Sequence, residues 1–380
     1  LFLFFFHQDI KAQDSFEDFK KQYEDDYGQF KEVYESGIAN SEEEFAAYKE
    51  AWEQEFQEFK EGIEQKWGSF DERTKKQWVE YKETGEIKYK VDFEEGKGSV
   101  EILAEDDGEV EQAKNDMKEE VVKAINDKGT KQGFETKKLP NDPVQEEPIL
   151  KDQVNKEEGE SDEEYAERVV NDNMETKEVD GKDGKKRTVV YLSFDLAPDH
   201  IQERAAKVAE YVNQFSQKYE LDPPLVFAII HTESYFNPTA ASHANAYGLM
   251  QLVPTSGGRD AYKEVTGKDG IPTKEFLFQS EKNVNLGCAY VDILINRYFR
   301  GAESPLTQMY LSISAYNTGA GNVARSYTGN TSVGGALKMI NKMSDEENYK
   351  HLIKNLPYEE TRNYLEKVVR LSEKYEEWSE

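Results

Sequence analysis

The chain has 380 residues and a mass of 43.8 kDa, enough for two domains or three. With 37% hydrophobic and 33% charged residues it reads as a water-facing molecule rather than a membrane channel. The net charge of −29 is uneven: from Pro198 onward there are 19 basic and 23 acidic residues, leaving 29 and 54 on the first 197, and so acidic a surface argues against nucleic acid or anionic lipid as a partner.

Taken in order, Leu1–Phe6 is apolar and leads into Gln8–Ala12, so residues 1–12 read as the remnant of a secretory signal cut near Ala12; an ordinary apolar terminus is the alternative. Residues 13–84 form the next unit, and 14–67 hold an internal repeat. Phe16, Phe19, Tyr23, Tyr27, Phe30 and Tyr34 recur 29 positions later as Phe45, Tyr48, Trp52, Phe56, Phe59 and Ile63. Steps of three and four put each set along one helical stripe. Ser41 and Glu44 offer a capping box for the second helix, and 37–40 can turn the chain. An aromatic helical hairpin follows, with partner docking, self-association or a spacer role all compatible.

Residues 85–197 change period. Lys88–Phe93 and Ser99–Leu103 alternate across Glu94–Gly98 as a β-hairpin, 110–125 reads as helical, and 135–160 reads as a loosely ordered connector carrying Pro140, Pro143 and Pro148. Glu163–Val170 reads as a short helix, and Glu175–Val179 with Thr188–Phe194 as a second hairpin. This is a small α+β module with no catalytic cluster. From 198 to 380 the pattern is helical, over Ile201–Tyr219, Pro223–Ser234, Val284–Tyr298, Leu306–Asn317 and Glu359–Tyr375. The single cysteine, Cys288, sits in a helical pattern as a small buried hydrophobe; it allows no internal disulfide, and no cysteine near the start could carry lipid.

Asp222 followed by Pro223 and Pro224 starts a helix whose next residues, LVFAII, are apolar on every face and so belong inside. Glu233 lies at its far end, before Pro238. The negative end of the helix dipole and apolar surroundings both favour a protonated carboxyl there, as a general acid requires. The bland alternative is a solvated glutamate at a helix end. Three further segments carry polar groups: Gly248-Leu-Met-Gln-Leu-Val-Pro254 with Gln251, Ala315-Tyr-Asn-Thr-Gly-Ala-Gly-Asn322 with Tyr316 and Asn317 before a glycine-rich turn, and Pro357-Tyr-Glu-Glu-Thr-Arg-Asn-Tyr364 opening the last helix. Each alone is weak.

Together, in this order, they resemble the catalytic domain of the lytic transglycosylases related to goose-type lysozyme. Tyr89-Lys-Val-Asp-Phe-Glu-Glu-Gly-Lys-Gly-Ser-Val-Glu-Ile is similar to the domain preceding catalysis in membrane-bound members of that family. The likeness covers roughly 85–380 and implies a mainly helical lysozyme-like domain behind the α+β module. It implies Glu233 as acid/base, Ser242 orienting the sugar's acetamido group or scissile bond, and Gln251 as a substrate-binding amide. It implies Tyr316 touching the catalytic carboxyl, Asn317 as a site amide, and Tyr364 closing the cleft. Val253 stands where some relatives carry methionine, and Thr318 where alanine is common.

The implied substrate is the glycan strand of peptidoglycan, cut without water, with no metal or cofactor. The implied location is the periplasm or cell envelope, with outer-membrane association open. Hydrolysis of glycosides needs two carboxylates, and only Asp260 and Asp292 are at hand, neither obviously placed. A goose-type lysozyme adding water and a non-catalytic peptidoglycan-binding protein are the rival readings.

Overall fold

The computed structural model describes residues 28, 30–82, 85–134 and 142–376. The first aromatic stripe therefore lies largely outside the described residues, though 30–36 are helical. β1 (Ile38–Ala39) follows, then α1 (Glu42–Trp67), whose N-cap Ser41 accepts from Glu44 N–H. The capping box is only half formed, because the Glu44 carboxylate accepts from Asn40 N–H instead.

The α+β module is one five-stranded antiparallel sheet rather than two separate hairpins. Its strands are β2 (Gln77–Lys82), β3 (Ile87–Asp92), β4 (Lys97–Ala104), β5 (Glu175–Asp180) and β6 (Lys186–Asp195), in the order β2-β3-β4-β6-β5. β2 was not anticipated. Side chains alternate across the sheet with period two. Trp78, Val100, Ile102 and Leu192 face α2 (Asp107–Ile125) and α3 (Asp162–Asn173), while Val79, Tyr81, Leu103 and Val189 face α1. α1 thus packs Phe56, Phe59 and Ile63 onto the sheet, and Phe59 stacks on Phe134 at 4.2 Å between ring centres. Among the described residues, its first part meets the preceding helix through Phe30 and Tyr48.

The expected loose connector is also corrected. In its described part Ile149, Leu150 and Val154 are buried in the sheet module's core, because three prolines do not prevent intervening apolar residues from packing.

The C-terminal unit begins with α4 (His200–Tyr219) and α5 (Pro223–Ser234). After a π-turn at Pro254–Gly258 come α6 (Arg259–Thr266), β7 (Ile271–Pro272), α7 (Lys274–Leu277) and α8 (Ser280–Ile293). α9 (Pro305–Thr318), α10 (Ala320–Thr328), α11 (Val333–Ile340), α12 (Asp345–Asn355) and α13 (Glu359–Glu376) complete it. Pro223 starts α5 as expected, although the Asp222 side chain makes no capping bond. The glycine-rich turn after Tyr316 is a single joint at Gly319, with α10 resuming at Ala320. Cys288 is fully buried, and burial pushes its thiol up.

Both units are tied together. β1 pairs antiparallel with β7, and the Tyr48 hydroxyl donates to Glu275. Arg204, 3% exposed, donates to the Tyr235 and Phe93 carbonyls and to Gln153 Oε1. A guanidinium needs this many acceptors to lie so deep.

Candidate active site

Glu233 is 5% exposed at the end of α5. The helix stops at Tyr235, whose left-handed φ of 53° lets its N–H bond the His231 carbonyl. Of α5's side chains nine are buried, including Ile229, Ile230, Glu233 and Ser234. The carboxyl is not surrounded by apolar groups alone, as the sequence implied. Lys75 Nζ donates to Glu233 Oε2 at 3.0 Å.

Lys75 arrives from the N-terminal module, in the segment joining α1 to β2. Thr74 holds that segment: its carbonyl accepts from Ala241 N–H at 3.4 Å and Asn237 Nδ2 at 3.5 Å, and its hydroxyl caps Lys76 and Gln77 N–H. Its 158-residue separation from Glu233 explains why no local pattern announced it.

Two further elements bring phenols to the carboxyl, Tyr316 on α9 and Tyr364 on α13, and the 248–252 turn, with Gln251, is bonded to the end of α5 through Ser234. The Tyr316 hydroxyl donates to the Met250 carbonyl at 2.7 Å rather than to Glu233, while burial and then the Glu233 charge hold its pKa well above the ordinary phenol value. Tyr364 is shifted the same way, by burial first and the Glu233 carboxylate second. Its hydroxyl is buried beside that carboxylate. Asn317 Oδ1 accepts from the Thr361 hydroxyl at 2.7 Å, joining α9 to α13.

Gln251 is 6% exposed with φ of 47°. Its amide nitrogen donates to the Ala240 and Gly248 carbonyls at 3.0 Å each, leaving a buried, unpartnered Oε1. Ser242 lies in the adjoining loop, its hydroxyl accepting from Ala246 N–H at 3.2 Å.

Two residues to which sequence reasoning gave no role hold the turn. Ser234 donates to the Leu249 carbonyl at 2.7 Å. Asn283, fully buried in α8, accepts from Met250 N–H at 2.8 Å and donates to the Tyr247 and Leu277 carbonyls. Gly248, at φ of 77°, has no room for a side chain: a Cβ would lie 2.1 Å from the Leu277 carbonyl oxygen. The two candidate second carboxylates do not join the cluster described here. Asp260 is exposed on α6, and Asp292 accepts from Asn296 on α8.

Residues 210–337 match the family model described as Transglycosylase SLT domain, and 44–207 match the N-terminal domain of membrane-bound lytic murein transglycosylase C. Both matched domains are those of the lytic murein transglycosylase family. Within it, the chain is similar to the membrane-bound lytic murein transglycosylase C of Actinobacillus succinogenes, 41% identical over 189 residues, which is 50% of this chain and 52% of that protein. The namesake from Salmonella arizonae is 43% identical over 182 residues, 48% of this chain and 50% of its own. The matched region thus spans about half the length of these relatives. Among solved structures, the 70-kDa soluble lytic transglycosylase from Escherichia coli aligns with a TM-score of 0.37 and 24% identity over 48% of this chain and 26% of that one.

Proposed function

We propose that this protein cleaves the bond between N-acetylmuramic acid and N-acetylglucosamine in peptidoglycan without water, leaving 1,6-anhydro ends. The supporting observation is Glu233 itself, a buried carboxyl at the end of an apolar helix with Tyr316 and Tyr364 beside it. In the proposed course the Glu233 carboxyl gives its proton to the glycosidic oxygen as the C–O bond breaks, and the substrate's own acetamido group steadies the anomeric carbon. The carboxylate then takes the C6 hydroxyl proton while that oxygen bonds the anomeric carbon, restoring the acid. One carboxyl serves twice, consistent with the positions of Asp260 and Asp292. Assistance of this kind is worth about 10²–10⁴ in rate.

Gln251 Oε1 is the acceptor left for a sugar N–H or hydroxyl, with Asn317 as a second amide and Ser242 at the approach. The proposed setting is the periplasmic side of the cell envelope; no described helix is long and apolar enough to cross a membrane. Glu233→Gln keeps the shape and removes the proton, so it should bind sacculi yet solubilise them at least 10²-fold more slowly. Mass spectrometry of the wild-type products should show ends lighter by one water than a hydrolase would release. Near-normal turnover by Glu233→Gln, or reducing ends only, would refute the proposal.

A further inference from the structure

Between the sheet module and the C-terminal unit lies a hollow of about 670 Å³, lined by none of Lys75, Gln251, Tyr316 and Tyr364. Its size is within the roughly 300–1,000 Å³ common for small-ligand sites. The module contributes Lys128, Lys131 and the 143–149 segment, and the C-terminal unit contributes Arg204, Lys207 and Tyr211 of α4 and the start of α8 with Lys282. Gln145 ties the wall across the boundary, donating to the Phe278 carbonyl at 2.9 Å and accepting from the Ser280 hydroxyl at 3.0 Å. The hollow therefore exists only where the two units meet.

Five cations line it, in a chain whose net charge is −29. Lys131 has an acid partner, Asp142 at 3.6 Å. Arg204, Lys207 and Lys282 have none among the described residues. Arg204, 3% exposed, is met by two carbonyls, Gln153 and His200, all neutral acceptors. Lys207 Nζ reaches the Pro148 carbonyl at 3.4 Å, and Lys282 Nζ stands 4.6 Å from the centre of the Phe276 ring. Burial brings Arg204 down to about 9 and Lys207 to about 8, and burial and then the Lys131 charge lower Lys282. Cations drawn out of water without a counter-charge are costly. Here they face one another from both units, so one anion between them relieves both.

The chemistry of the donors selects the anion. The Arg204 guanidinium is already committed to protein acceptors, so the planar fork that suits a carboxylate is not offered. Lysine ammoniums remain, together with the first N–H groups of α8, whose N-cap Gln279 makes no capping bond. That set suits a phosphate, which accepts from several directions. The volume exceeds a bare phosphate, and Ile149, Val208 and Tyr211 give it apolar walls. Of the three acids on the lining, Glu147 pairs with Lys151, while Glu146 and Glu281 are exposed acceptors for hydroxyls. The acidic surface elsewhere repels an anionic membrane and favours a free molecule.

We propose that this hollow binds a small soluble phosphate ester of the phosphosugar class, held by Lys207, Lys282 and the start of α8 and bridging the two units. The inference is independent of the reaction at Glu233.

Calorimetric titration of the full chain with glucose 6-phosphate, at fixed ionic strength in chloride, tests it. Wild type should bind the ester saturably and show no binding of glucose. Lys207→Met and Lys282→Met should each weaken binding about tenfold, the value of one charge-assisted hydrogen bond, and Lys207→Arg should keep most of it. Because the ester joins both units, it should also raise the melting temperature of wild type but not of the variant carrying both methionine changes. No saturable binding to wild type, equal binding of glucose, or unaltered affinity in both methionine variants overturns the proposal. Should a methionine variant fail to fold, Lys207→Gln and Lys282→Gln make the same comparison with the same expected losses.

Discussion

Asn283 shows how much of the site depends on a residue that never touches Glu233. Replacing it with Leu, of similar size, orphans the Met250 N–H and the Leu277 carbonyl, now bonded at 2.8 and 2.7 Å in a fully buried setting, and leaves the Tyr247 carbonyl only its bond from Leu252 N–H. At ~1–2 kcal/mol per orphaned group the loss is about 2–4 kcal/mol. For a domain of this size that lowers the melting temperature by about 4–16 °C. Because Met250 also presents the carbonyl that anchors Tyr316, sacculus solubilisation should fall at least tenfold even where the variant remains folded. Asn283→Asp is the companion: it keeps the acceptor for Met250 N–H and loses both donors, so its penalty should shrink as acid protonates it and returns one. Calorimetric melting with turnover measured 15 °C below each midpoint, as an assay setting of about one safe margin, separates folding from function. A melting shift under about 3 °C with full turnover would refute the reasoning.

Lys75→Met removes the ammonium beside Glu233 from a pair in which the lysine is one-third exposed, so its worth is discounted to about 1 kcal/mol. Turnover in a sacculus assay should therefore change by no more than about fivefold; a fall to background would show that the ammonium is needed for chemistry. Two buried histidines make stability depend on pH. Burial and then the Arg204 charge bring His200 down to about 4, and burial and then Lys367 bring His231 down to about 3. Both stay neutral when folded but take protons near pH ~6.5 when unfolded, so their contribution is full above that pH and drains as pH falls towards 4. Urea midpoints between pH 7 and 4.5 should show a slope of up to about 2–3 kcal/mol per pH unit, lessened by about one proton in His231→Asn, whose amide can keep the Tyr375 bond; an unchanged slope in that variant contradicts the assignment.

What was legible in the sequence was local. The apolar run of α5 with its Pro-Pro start put Glu233 on a buried helix end, and the strands' alternation marked four of the five members of the main sheet. β2 was missed because Gln77–Lys82, with Trp78, Val79, Glu80 and Tyr81 all buried in succession, buries both faces and shows no alternation. α10, α11 and α12 were missed because they are short, eight to eleven residues, and two carry glycines inside them, which weakens any periodic signal. The motifs around Gln251, Tyr316 and Tyr364 were recognisable as patterns, but not which atoms they bond.

Hydrophobic period and helix capping act between neighbours three or four residues apart, so the chain alone determined a helical C-terminal unit, a sheet module before it and a glutamate at a helix's end. Ion pairs and buried hydrogen bonds depend on distances through space. Only the folded molecule could therefore bring Lys75 to Glu233, turn the Tyr316 hydroxyl to Met250 and clamp the turn with Asn283.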